Sequence, residues 1–154
     1  MTDQALAEFL VDAKRSTYAA LDDEATLTPL LAGSRQLEYR RAPWFYRDVY
    51  FGTAAFVGQE TVYLEAPPVW AMGYAGGLLE APGIDATRVY GFLRQALREV
   101  TAEQPYRGPL SFIHGDYAYS REHEGDLDRF RGVEVVRAQG RSVYELRYAG
   151  GRLG

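Results

Sequence analysis

Glu60 and Glu134 each follow Phe-x-Gly-x at the start of a segment with strand character, and the same-face residues beyond them, Val62 with Leu64 and Val136 with Ala138, are apolar. A carboxylate aimed at an apolar face must be paired or hydrogen-bonded, because desolvation penalises its charged form. Two arrangements meet that requirement. Each side chain can accept backbone amides beside the preceding glycine and turn its strand at a bulge. Alternatively, the two glutamates face one groove, where they bind a cationic or hydroxyl-rich ligand or act as acid and base. Asp48 lies in WFYRDVYF, where alternation puts Trp44, Tyr46, Asp48 and Tyr50 on one strand face. In the later run HGDYAY, Asp116 takes the role of Asp48, and a solvated sheet face is the alternative for both. Trp70, Met72 and Tyr74 alternate onto one face, as do Tyr144, Leu146 and Tyr148. Such stripes pack under helices as core, or line a pocket in which tyrosine hydroxyls orient a ligand.

Other chemistries find no support. His114, Asp116, Glu122, His123, Glu124 and Asp126 crowd together, but their spacing matches no helical metal signature, and a loop of mixed charges is ordinarily solvated. No metal and no cofactor is expected. Gly76-Gly77 and Gly150-Gly151 do not open a helix with a lysine, and no nucleophile elbow, phosphate loop or dinucleotide fingerprint occurs.

The elements that must hold these residues come in two sets. Residues 56–77, FVGQETVYLEAPPVWAMGYAGG, align without a gap on 130–151, FRGVEVVRAQGRSVYELRYAGG, with nine identities in 22 positions. Chance pairing of ordinary compositions gives roughly one or two. A helix is predicted from Asp3 to Ala20, with Leu6, Phe9, Leu10, Ala13 and Thr17 at helical spacing and Asp3 as cap. Residues 21–36 read as an ordered loop pinned by Leu27, Leu30 and Leu31. Strands follow from Leu37 to Ala75, then a second helix between Gly83 and Pro105 with Val89, Phe92, Leu93, Ala96, Leu97 and Val100 on one stripe. Strands resume at GPLSFIHGDYAY, VEVVRA and SVYELRYAG, the last two joined by a hairpin through Gln139-Gly140, with SREHEGDLD as a charged insertion. The expected fold is α+β, one domain over 1–154 made of two repeats, about 3–79 and 86–153. The halves would be related by a pseudo-twofold axis, with both helices on the combined sheet and a pocket on the axis.

Composition narrows the partners. A net charge of -4 and a pI near 5.2 argue against direct nucleic-acid binding, which needs a basic stripe. The chain has no cysteine, which excludes disulfides and thiolate chemistry. Its N-terminus lacks the apolar run of a signal peptide, and no eighteen-residue apolar run occurs, so no membrane partner and a cytoplasmic location are expected.

The runs Leu37-Glu38-Tyr39, Tyr46-Arg47-Asp48, Gly58-Gln59-Glu60, Pro68-Val69-Trp70-Ala71-Met72, Gly108-Pro109, Gly115-Asp116-Tyr117-Ala118-Tyr119, Phe130-Arg131-Gly132-Val133-Glu134 and Val143-Tyr144-Glu145-Leu146 resemble a bacterial domain of unknown function, DUF5680. The resemblance implies no assigned reaction. It also implies relatives that carry a preceding helix-turn-helix segment, which makes this domain an effector-sensing or dimerising unit linked to transcriptional regulation. This chain opens on a single helix at Asp3, so any DNA-binding role would have to be borrowed from another protein. A looser analogy is to duplicated effector-binding domains of the gyrase-inhibitor type.

The leading expectation is a small-molecule-binding or sensory domain. Glu60, Glu134, Asp48 and Asp116 are its polar anchors, and Trp44, Tyr46, Trp70, Tyr74, Tyr144 and Tyr148 its walls. Two alternatives stay open: a hydrolase or isomerase working through paired carboxylates, and a homodimeric interaction module.

Overall fold

Two amphipathic segments form the helices of the computed structural model, which describes residues 2–19 and 27–154. Helix α1 (Asp3–Ser16) starts where the Thr2 hydroxyl accepts from the Ala5 amide at 3.3 Å, so Thr2, not Asp3, is the cap. It buries Leu6, Ala7, Phe9, Leu10 and Ala13, and Lys14 shares that side. It stops at Ser16, and the expected end at Ala20 lies outside the described residues. Helix α2 (Ala86–Arg98) starts where Asp85 accepts from the Arg88 amide at 3.2 Å, and it buries Val89, Phe92, Leu93, Ala96 and Leu97 as its stripe requires. Neither helix is long and apolar enough to cross a membrane. Of the loop between α1 and the first strand, residues 21–26 lie outside the described residues; Leu27, Leu30 and Leu31 are exposed and pin nothing.

Eight strands form one antiparallel sheet. Strands β1 (Arg35–Arg41), β2 (Trp44–Gly52), β3 (Ala55–Leu64) and β4 (Pro68–Leu78) precede α2; β5 (Ser111–His114), β6 (Tyr117–Gly125), β7 (Arg129–Ala138) and β8 (Arg141–Arg152) follow it. The order across the sheet is β1-β2-β3-β4-β8-β7-β6-β5. At its middle β4 pairs with β8, and Tyr74 sits directly opposite Tyr148. The α+β class is therefore as expected. Helix α1 lies over β1 and β2, and α2 over β5 and β6. The space between helices and sheet holds Trp70, Tyr46, Tyr119, Tyr144, Phe9 and Met72, all essentially without exposure.

Hairpin geometry follows the turn residues. Gln139 and Gly140 both take positive φ, 50° and 76°, in the expected two-residue turn joining β7 to β8. The run GPLSFIHGDYAY, expected as one strand, instead breaks at Gly115-Asp116, where Gly115 has φ 58° and His114 pairs with Tyr117 across a second two-residue turn. The supposed insertion SREHEG is the far half of β6. The correction has a physical cause: a Gly-Asp pair turns the chain more readily than it continues a pleat. It also moves the register, as shown below.

Gly58 leaves room for the Tyr74 ring tip, and Gly132 does the same for Tyr148, since a Cβ at either position would overlap the tyrosine hydroxyl. Gly58→Ala is expected to cost about 1–3 kcal/mol, the usual penalty for forcing a close-packed side chain aside. Urea denaturation measures it; an unchanged midpoint would mean that Tyr74 has other room.

Candidate functional site

Glu134 points inward from β7 at 0% exposure, and its hydrogen bonds are to side chains, not backbone amides. Arg107, from the segment between α2 and β5, donates through Nε at 3.2 Å and Nη2 at 2.6 Å. The Tyr119 and Tyr144 hydroxyls donate at 2.8 and 2.9 Å. Four donors around one carboxylate are what a charge needs to survive without water. Glu60, on β3, is bonded to Lys14 of α1 and lies 3.9 Å from Arg107 Nη1. Arg107 therefore faces both glutamates, and the two strands expected to converge through their carboxylates do so through one guanidinium.

Asp48 is the partner of Glu60 across β2–β3, is 3% exposed, and accepts from the Tyr74 hydroxyl at 2.6 Å. Burial, then the neighbouring Glu60 charge, push its carboxyl up to about 7, against the pull of Tyr74, Lys14 and Arg107. Burial also holds Lys14 below the ordinary ammonium range, although Glu60 pulls it back. Burial, then the Asp48 charge, raise Tyr74 well above an ordinary phenol, so its hydroxyl stays a donor.

Above Asp48 opens a cavity of about 390 Å³. The rings of Tyr18, Tyr50, Phe56, Tyr74 and Tyr90 wall it, Asp48 and Arg107 reach it from the buried cluster, and Arg35 and Arg94 complete the lining with the first turn of α2. Tyr90 is fixed by donating to the Thr53 and Ala54 carbonyls at 2.9 and 3.1 Å. Phe56 packs against Tyr74 and Tyr90 at centroid distances of 6.0 and 6.4 Å.

Of the residues expected to form a site, Asp48 and Tyr74 line this cavity. Tyr46, Glu60, Glu134 and Tyr144 belong to the buried layer beside it. Trp44 stacks on Phe9 at 5.3 Å and Trp70 on Phe130 at 5.6 Å, both as packing. Tyr148 accepts from Arg121 at 3.0 Å and lies outside the cavity lining. Asp116 is exposed in the β5–β6 turn and does not take the role of Asp48. Arg121 does, since it faces Glu134 across β6–β7 as Asp48 faces Glu60 across β2–β3. Arg121 in turn donates to the Gly108 carbonyl and to Gln104.

The cavity is also not on the β4–β8 seam, as expected, but beside the first four strands. In the other half, the His123 and Phe130 positions are covered by Tyr106, which stacks on His123 at 3.9 Å and on Phe130 at 4.7 Å. The contributors that the sequence does not announce include Lys14, Arg107, Tyr90 and Arg94. Lys14 had a signal, a cation four residues beyond Leu10 on an apolar stripe. Arg107 had none, because its partners are 27 or more residues away in β7 and β3.

No curated protein and no solved structure matches the chain. The family model described as domain of unknown function (DUF5680) matches residues 48–153, from the Asp48 carboxyl through the end of β8, and the chain belongs to that family.

Proposed function

We propose that this domain binds a small molecule in the cavity above Asp48, as a ligand-binding or sensory module. One observation carries the reading: an aromatic-walled cavity of about 390 Å³ has Asp48, Tyr74 and Arg107 converging on it. Sites for small ligands combine these features, an apolar wall and a few placed polar groups within roughly 300–1,000 Å³. Asp48 adds weight, because an acid kept beside Glu60 at a cost in stability is the pattern of a position held for function.

Thr87, exposed on the first turn of α2, lines the cavity and offers a plug. Screened against a small-metabolite library by thermal shift, the protein is expected to gain several degrees with compounds that leave Thr87→Trp unaffected. If no compound raises the melting point, or if the plugged variant responds equally, the domain is not a receptor at this cavity. Asp48 also favours a second function, acid–base catalysis on the bound molecule, because a carboxyl titrating near 7 exchanges protons at neutral pH. Turnover of a binding compound, lost in Asp48→Asn while binding persists, separates an enzyme from a receptor.

The same proposal has an ancestral part: the two halves descend from one duplicated unit, related by a pseudo-twofold axis near Tyr74 and Tyr148. Its support is the constant offset of Phe56, Gly58, Glu60 and Tyr74 from Phe130, Gly132, Glu134 and Tyr148, and the direct pairing of the two tyrosines. The functional divergence then lies in Asp48 against Arg121, and in the covering of one half by Tyr106.

A further inference from the structure

Resting on the cavity as a binding site, we infer that its ligand is a small aromatic carboxylic acid, taken up as the carboxylate with the acid group on the Arg94 side. Tyr90 and Arg94 are one helical turn apart on α2 and share the cavity wall. Arg94 is half-buried and makes no hydrogen bond or ion pair among the described residues. A guanidinium partly withdrawn from water, with its planar fork unanswered, is matched best by a carboxylate.

The other charges leave that reading intact. Arg35 lines the same cavity but has an interaction of its own, so the assignment does not rest on it. Arg107 is answered by Glu134 and Glu60, so it does not call for a ligand anion of its own. Asp48 is the one acidic side chain in the lining among the described residues. The first turn of α2 brings Ala86 and Thr87 to the cavity, and because the Asp85 carboxylate already caps that helix end, the positive end of the helix dipole is answered and adds no weight. A ring of aromatic side chains can also cage a cation. Here such a cation would share the space with Arg94, and Asp48 alone would favour it. Tyr50, Phe56, Tyr74 and Tyr90 supply flat faces for an unsaturated body.

The test is a titration of the isotopically labelled full chain, followed through its backbone amide resonances. Three probes of one shape are used: 3-phenylpropionate, 3-phenylpropionamide and 2-phenylethylammonium. The carboxylate is expected to bind about tenfold tighter than the amide, the gain of a charge-assisted pair, with shifts centred on Gly52, Phe56 and Tyr90. Arg94→Gln, at a half-buried helix position, should erase that tenfold, bringing the affinities for acid and amide together. Equal or tighter binding of the amide or the ammonium, or an Arg94→Gln protein that still prefers the acid, overturns the charge assignment while the cavity remains a binding site. If none of the three probes moves the cavity resonances, the acid assignment falls, and the plugging experiment above then decides the cavity on its own.

Discussion

Glu134→Ala is expected to remove about 3–5 kcal/mol of folding stability, the cost of leaving a buried charge without its partner. The substitution strands Arg107, which is 6% exposed and would keep the 3.9 Å approach to Glu60 as its carboxylate contact, beside the Tyr18 and Tyr74 rings at 5.6 and 5.7 Å. It also leaves the Tyr119 and Tyr144 hydroxyls without their acceptor. Denaturant unfolding followed by tryptophan emission measures the loss. The double replacement Glu134→Leu with Arg107→Met should cost clearly less than the two single losses added together, because both desolvated charges leave at once. A loss under about 1 kcal/mol for Glu134→Ala is the value of a surface ion pair, and would mean that water reaches the cluster.

Asp48→Asn is expected to do the opposite and stabilise the fold at pH 8. A carboxyl raised from 3.8 to about 7 on folding binds its proton more tightly in the native than in the unfolded chain. Its contribution to stability is then fully present below about pH 4 and is lost as pH rises toward and through 7. The full swing is on the order of 4 kcal/mol at about 1.4 kcal/mol per pKa unit. The asparagine carbonyl still accepts from Tyr74, while the charge beside Glu60 is gone. The measurement is the difference in unfolding free energy between the native chain and Asp48→Asn from pH 5 to pH 8, which cancels the other titrating groups. A difference that grows with pH in favour of Asn is the expected result; a flat difference would show that Asp48 ionises freely in the folded protein. The same variant should bind ligands differently, so the stability gained marks what the native acid gives up for its place in the cavity.

Much of the sheet was legible because β-structure writes its period into the letters. The alternation of Trp70, Met72 and Tyr74, and of Tyr144, Leu146 and Tyr148, correctly places these residues on the buried face. Glu60 and Glu134 stood out because a carboxylate on such a face demands a partner. The partner's identity was not legible. Lys14 comes from α1 and Arg107 from the segment after α2, and local spacing says nothing about which distant cation will arrive.

The slip at Asp116 was of a different kind. Alternation carried through Gly115-Asp116 treats the pleat as continuous, whereas a turn of two residues there changes which side chain faces Glu134. Counting back from the shared Phe-x-Gly-x-Glu pattern would have found Arg121 opposite Glu134, provided the turn had been recognised first.

What the sequence determined by itself is the class of the fold, its two helix stripes, the Gln139-Gly140 hairpin and the pair of inward-facing glutamates, since each follows from short-range periodicity or turn chemistry. Tertiary structure alone decided that Arg107 joins the two glutamates, that Asp48 lies beside Glu60 over a cavity while Arg121 takes the matching place, and that Tyr106 covers one half. The reason is physical: charge pairing and cavity shape depend on which side chains arrive from far along the chain, and strands that share nine of 22 residues acquire different surroundings when different segments pack over them.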